Sequence, residues 1–227
     1  LKDKGTAALL VFRHGREIFS WYGKNNGPSR PMGTASLSKA VLGANALAIA
    51  LEKGYLRYDQ LASDFIEEWK TDPQKSKISI GHLISHQSGL EDSWDHGAFL
   101  SGKTRFDFPD WKGEYWRGSS NLESYRISRQ TTPMSFEAGS SAAYSNPAFS
   151  VLTIILSKVF EQRESKSTSE MLSSYLYRPL GIPDSEWRAQ ENQRLVLDGA
   201  RLSALGGGAA FSANSLQKIG QWLLAVH

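Results

Sequence analysis

Ser36 and Lys39 stand three residues apart in Ser36-Leu37-Ser38-Lys39, and on a helix that spacing brings a hydroxyl and an amine to one face. A serine hydroxyl is a weak nucleophile until a base takes its proton. A lysine serves as that base only when its pKa is pulled well down. Burial does this, and so does the positive end of a helix dipole. Lys39 falls in the first turn of an apolar helix, where a cation is electrostatically misplaced, as an activated lysine has to be. The spacing alone is a weak signal. Ser36 also reads as an N-cap before a solvated lysine, and Ser215-Leu216-Gln217-Lys218 repeats the pattern further along. Tyr144-Ser145-Asn146, the one Y-x-N in the chain, offers complementary groups. A tyrosine with a depressed pKa shuttles a proton between nucleophile and leaving group, and Asn146 can hold a substrate amide or the lysine. Taken singly, Tyr144 reads equally well as a structural tyrosine in a turn.

Other chemistries find less support. No G-x-S-x-G occurs, so a nucleophile elbow is not indicated. The five histidines show no H-E-x-x-H or other paired-ligand spacing, so no metal is expected. The chain has no cysteine, which excludes thiol chemistry and disulfides and fits the periplasm or the cytosol. The net charge of +3 is small and evenly scattered, against a nucleic-acid partner. No stretch approaches the ~20 uninterrupted apolar residues of a membrane span. The longest, residues 40–51, contains Gly43 and Asn45 and reads as a buried helix. The start, Leu1-Lys2-Asp3-Lys4, is no signal peptide, although one could have been removed.

The elements that must position these groups are legible in outline. Residues 7–22 read as a β-hairpin turning at Arg13-His14-Gly15-Arg16, and 23–31 as a loop rich in Gly, Pro, Asn and Ser. A helix is predicted from near Ser36 to Leu51, with Gly54 as its C′ glycine. Further helices are predicted over 78–85, 146–160, 168–177 and 212–226, the last with Ser212 as N-cap and Ser215 three residues on. The span 91–132 carries eight aromatic residues among many polar ones with little periodicity. It reads as a long excursion, either lining a pocket or packed by its own rings.

In this order the motifs resemble the β-lactamase-related serine hydrolases: class C β-lactamases, D-Ala-D-Ala carboxypeptidases, and related esterases and nylon-oligomer hydrolases. After Tyr22-Gly23 and Ser36-x-x-Lys39 comes Ile80-Gly81-His82-Leu83-Ile84-Ser85-His86-Gln87-Ser88-Gly89-Leu90, similar to the family's I-x-x-L-L-x-H-T-S-G-L. Phe136-Glu137-Ala138-Gly139-Ser140 leads into Tyr144-Ser145-Asn146, where the family commonly has F-x-P-G-x and Y-S-N; Ala138 stands in the place of the proline. Arg178-Pro179-Leu180-Gly181-Ile182 with Trp187 resembles x-P-L-G-M with W. Gly206-Gly207-Gly208 with Phe211-Ser212-Ala213 resembles G-G-G-x-x-S-T-A. Within this resemblance His86 belongs to a structural helix-end segment with Gly89 and not to a Ser-His-Asp triad. Ser212-Ala213-Asn214 imitates S-D-N but is better explained as a cap. The third family motif, K-T-G or H-x-G on a later strand, has no counterpart; Ser101-Gly102-Lys103-Thr104 is misplaced for it. In the family that strand supplies one oxyanion donor, the other being the nucleophile's own N–H.

The resemblance implies a two-lobed α+β fold of the serine β-lactamase and penicillin-binding-protein kind, an antiparallel sheet with flanking helices beside a helical lobe. Residues 1–35 would form the N-terminal hairpin of the α/β lobe, 36–200 the mostly helical lobe with the cleft, and 201–227 a return segment toward the α/β lobe. At least three further strands and a closing helix are expected beyond residue 227. The expected activity is hydrolysis of an ester or amide (a β-lactam, a D-Ala peptide, or a small ester or amide) through an acyl-enzyme. The expected site is Ser36 as nucleophile, Lys39 and Tyr144 sharing the proton work, and Asn146 orienting the substrate. No cofactor is implied. The partner is a small-molecule or peptide substrate, and no oligomeric state is indicated. The family favours a periplasmic or secreted location, with the cytoplasm left open. Alternatives are a silent penicillin-binding-like module acylated without turnover, an interaction domain that keeps the fold only, and a metal-dependent hydrolase.

Overall fold

The computed structural model describes residues 5–118, 121–191 and 195–225. The segment Leu1–Lys4 and the expected end of the last helix at Val226 lie outside them. Strands β1 (Ala8–Arg13) and β2 (Arg16–Tyr22) form the antiparallel hairpin, with an irregularity between Val11 and Phe12. Its turn uses His14 and Gly15, both at positive φ, as a tight connection between right-twisted strands demands.

The hairpin stands as its own two-stranded sheet. A second sheet has the order β3-β7-β4, from β3 (Met32–Gly33), β4 (Trp187–Ala189) and β7 (Ala209–Phe211), all antiparallel. The short pair β5 (Val196–Leu197) and β6 (Ala200–Arg201) makes a third. This second sheet was not read from the sequence: it is assembled from pieces two or three residues long, too short to show an alternating pattern.

The helical run after β3 begins as a 3₁₀ turn over Ala35–Leu37, widens to a π-helical turn over Lys39–Ala44 and continues as α1 (Asn45–Glu52). Gly54, at φ 67°, ends it as expected. By length and composition the run 35–52 could cross a bilayer, but 56% of it is buried in the fold, with Leu42, Ala46 and Ala50 fully enclosed. After α2 (Ile80–Ile84), the excursion 91–132 is not irregular: it folds into α3 (His96–Leu100), α4 (Asp110–Arg117) and α5 (Glu123–Gln130).

The centre of the core is α6 (Asn146–Glu164), which packs on α1, α2, α5 and the next helix, α7 (Thr168–Leu172). Its residues Ala148, Val151, Leu152, Ile154, Ile155 and Phe160 are shut off from solvent. From Pro147 to Ser157 it carries no charged residue and is buried on every face, as an interior helix is; the charged residues are confined to its last two turns. Ser145 caps its start by accepting from the Ala148 N–H at 3.2 Å, and Pro147 sits in the first turn, where its missing N–H costs nothing. Gly43 lies where α6 crosses the 35–52 run. A Cβ there would stand 2.9 Å from the Phe149 ring, so the glycine sets how closely the two segments that carry the site approach. The last helix, α8 (Ala213–Ala225), is capped as expected, Ser212 Oγ accepting from the Ser215 N–H at 3.0 Å.

Candidate active site

The turn that carries Ser36 is stitched to β7. Thr34 N–H donates to the Ala209 carbonyl at 3.0 Å, and the buried Ser38 hydroxyl donates to the Ala35 carbonyl at 2.6 Å and accepts from the Ala209 N–H at 3.1 Å. Ala35 is held at φ 44°, a conformation that costs a non-glycine residue about 1–3 kcal/mol unless its surroundings over-determine it. Ser36 follows directly and stands exposed at the cleft.

The four expected site residues lie together, Lys39 between Ser36 and Asn146 and Tyr144 on the far side of Ser36 Oγ. Lys39 Nζ donates to Ser36 Oγ at 3.2 Å, to Asn146 Oδ1 at 2.9 Å and to the Gly206 carbonyl at 2.6 Å, which accounts for all three N–H bonds of an ammonium. Tyr144 Oη donates to Ser36 Oγ at 2.7 Å. The Lys39 amine also lies 4.9 Å from the centre of the Tyr144 ring and 5.3 Å from that of Phe149. Burial pulls the Lys39 pKa down to about 8, partly offset by the Asp92 carboxylate nearby. The depressed pKa expected for Tyr144 is not what this site provides. Burial raises it, the Ser36 hydrogen bond opposes that, and the Asp92 charge adds to the rise. Tyr144 is therefore a neutral phenol and a donor.

Asp92 was not anticipated. Its Oδ1 accepts from both the backbone N–H and the side-chain Nδ2 of Asn146, each at 2.9 Å. The first bond satisfies an orphan donor at the start of α6, where a negative charge is favoured. The second fixes the amide so that Oδ1, not Nδ2, faces Lys39. Only its position two residues past Leu90 could have pointed to it. The glycine-rich segment was noticed in the sequence, but not that the Gly206 carbonyl would be a partner of Lys39.

His86 supports the site without joining it. Its Nδ1 accepts from the Ser145 N–H at 3.1 Å, and its ring packs 4.6 Å from Tyr144 and 5.2 Å from Phe149. Burial, reinforced by Lys39 and opposed by Asp92, lowers its pKa. The segment it opens lies along the strand of chain that ends in Tyr144: Ser135 N–H donates to the Gly89 carbonyl at 2.7 Å, Gly139 to Gln87 at 2.9 Å and Ala143 to His86 at 3.0 Å. Gly89, at φ 78°, has the Phe136 carbonyl where a Cβ would be, 2.0 Å away, so only glycine fits. Ser215, the competing serine, is fully buried and donates to Glu186 at 3.1 Å, while Lys218 is turned to the Gly181 carbonyl. Among the described residues no three His, Asp or Glu side chains gather as a metal ion would need.

Ser36 and Asn146 line a cavity of about 330 Å³ whose other walls include Arg105, Tyr115, Trp116 and Tyr125 from the excursion, and Gly206 to Gly208 opposite. The excursion thus does both things read from its composition: it lines this pocket, and Trp94 packs against Phe99, Phe108 and Trp116 within it.

A family model described as Beta-lactamase matches residues 2–219. No curated protein matches the chain. Among solved structures, the chain is similar to a Bacillus anthracis protein named as a candidate 6-aminohexanoate-dimer hydrolase (TM-score 0.70, 19% identity, covering 98% of this chain and 55% of that one). It is similar to an octameric penicillin-binding protein homologue from Pyrococcus abyssi (TM-score 0.69, 19% identity, 96% and 52%). It is also similar to a D-stereospecific amidohydrolase from Streptomyces (TM-score 0.60, 18% identity, 96% and 67%). The chain spans little more than half the length of the first two.

Proposed function

The chain belongs to the beta-lactamase family, and from its site we propose a serine hydrolase that opens an ester or amide through an acyl-enzyme on Ser36. The observation that carries this reading is one oxygen, Ser36 Oγ, between a lysine at 3.2 Å and a tyrosine at 2.7 Å at the edge of a cavity.

When Lys39 loses a proton it keeps two N–H bonds, to Asn146 and Gly206, and these aim its lone pair at Ser36. The lone pair takes the hydroxyl proton as Ser36 Oγ bonds to the substrate carbonyl carbon, and the carbonyl π electrons move onto oxygen. Collapse of that adduct breaks the bond to the leaving group. The Tyr144 hydroxyl, beside both, hands on a proton and is replenished from Lys39. Water then attacks the acyl-enzyme with the same groups in reverse roles. Burial lowers the Lys39 pKa to about 8, so about one molecule in ten carries the neutral amine at pH 7. That fraction makes lysine usable as a base near neutrality.

The substrates to test first are short-chain esters, β-lactams and D-Ala-D-Ala peptides. The experiment is steady-state turnover of such a panel with Ser36→Ala alongside. Turnover that disappears with Ser36 supports the reading. Turnover that survives Ser36→Ala contradicts it, and stoichiometric acylation without turnover would identify a binding module instead.

A further inference from the structure

The cavity that opens at Ser36 continues into the protein along one face of α6. Asn146, Ser150 and Thr153 follow one another down that face at helical spacing, and Tyr115 of α4 and Tyr125 of α5 stand across from them. Apart from Asn146, these residues are buried, and their polar groups are all hydroxyls. Among the described residues that line the cavity only Arg105 is charged, and it is exposed. The inner wall therefore offers hydrogen bonds and no charge.

Most of these hydroxyls spend their hydrogen bonds inside the protein. Tyr115 Oη and Ser150 Oγ share one at 2.9 Å, and Thr153 donates to the Phe149 carbonyl at 2.7 Å. Tyr125 is the exception. Its side chain is 4% exposed, yet among the described residues its hydroxyl has no hydrogen-bond partner, and burial alone raises its pKa. It is a neutral phenol whose O–H donor is unspent at the wall of a cavity. Buried polar groups are rarely left so, because an unmade hydrogen bond in the interior is costly. A ligand atom that accepts from Tyr125 replaces solvent there with little loss, whereas a hydrocarbon of the same shape buries the O–H unsatisfied.

We propose that this chamber receives the acyl part of the substrate, and that Tyr125 selects acyl chains ending in a neutral hydrogen-bond acceptor, such as a carboxamide, over hydrocarbon chains of the same shape. The inference rests on the acyl-enzyme reading above and specifies the substrate of that site. The acyl part belongs in the buried chamber because it stays on Ser36 until water releases it, while the leaving group has to escape. The acceptor is neutral because a carboxylate taken out of water against this wall would meet no positive charge. A volume of about 330 Å³ sits at the small end of ligand pockets and favours a short chain.

Two fluorophosphonates that differ only at the end of a short phosphorus-bound chain, carboxamide against isopropyl, test it beside a methyl fluorophosphonate that lacks the chain. The second-order rate of Ser36 labelling is measured by mass spectrometry in the wild type, Tyr125→Phe and Tyr125→Met. In the wild type the carboxamide probe should react on the order of 10-fold faster than the isopropyl probe, the worth of one buried hydrogen bond. In both variants the gap should close from both sides, the carboxamide probe slowing and the isopropyl probe speeding up. A purely structural role for Tyr125 would move both rates in one direction. Each comparison is a ratio within one protein, so a general loss of reactivity cancels, and the methyl probe reports the nucleophile itself. A wild-type isopropyl probe as fast as the carboxamide probe or faster, or a gap that survives both substitutions, overturns the assignment while leaving Ser36 as nucleophile. Failure of the methyl probe to label Ser36 in the wild type overturns the acyl-enzyme reading, and this inference with it.

Discussion

An amine buried among rings and backbone loses hydration that three hydrogen bonds only partly restore, and at Lys39 this lowers the pKa while leaving the ammonium the major form at neutral pH. The folded-state pKa lies below that of a free lysine, so the proton leaves as pH rises through about 8. Acylation of Ser36 should therefore climb with pH along a single proton-loss limb centred near about 8, and flatten above it. A limb near the ~10.4 of a free lysine, in the pH dependence of pre-steady-state acylation, would remove Lys39 as the base. Tyr144 shifts the other way and stays protonated through that range. In the proposed mechanism its work is donation, so Tyr144→Phe should lower turnover by roughly 10²–10⁴ and change KM little. Unchanged kcat would assign the phenol to packing. The residue types at this site were legible because Ser-x-x-Lys and Tyr-x-Asn each bind their chemistry to a short spacing. The direction of the Tyr144 shift was not, because it depends on burial by His86 and on Asp92, distant in sequence.

At the scale of elements, the start of α6 matters most, because Tyr144, Ser145 and Asn146 sit in or just before its first turn. Asp92 ties that turn to the 86–92 segment. Asp92→Ala should cost about 1 kcal/mol in chemical denaturation through the lost cap. Asp92→Asn keeps an acceptor but removes the charge that holds the Lys39 pKa up, so the acylation limb should move to lower pH. A limb that stays in place would show that the carboxylate acts only as a cap. The longer helices were readable from apolar spacing and capping residues. Helices α3 to α5 were not, being five to eight residues long with rings scattered among polar positions. Strands β3, β4 and β7 escaped for a similar reason: two or three residues cannot display a period of two.

Over the whole molecule, stability is concentrated around α6 and thins toward the hairpin. Ile18 and Phe19 of β2 are exposed, and an apolar groove lined by Leu10, Phe12, Leu216 and Leu224 separates β1 from α8. Amide hydrogen exchange should therefore be fastest in β1–β2 and slowest in α6, each strand amide of the hairpin opening well below the global unfolding energy. Equal protection would mean that the hairpin is part of the cooperative core. The fold was legible only through the order of its motifs, since the contacts that build the site span the chain, Lys39 meeting Asn146 and Gly206 across more than a hundred residues. The central claim, that Ser36 is an activated nucleophile, is tested most directly by treating the protein with a fluorophosphonate and mapping the added mass. The account predicts one adduct, on the peptide containing Ser36, nearly abolished in a folded Lys39→Ala variant, with the peptide containing Ser215 unmodified. An adduct on another serine, or undiminished labelling of Ser36 without Lys39, would contradict it.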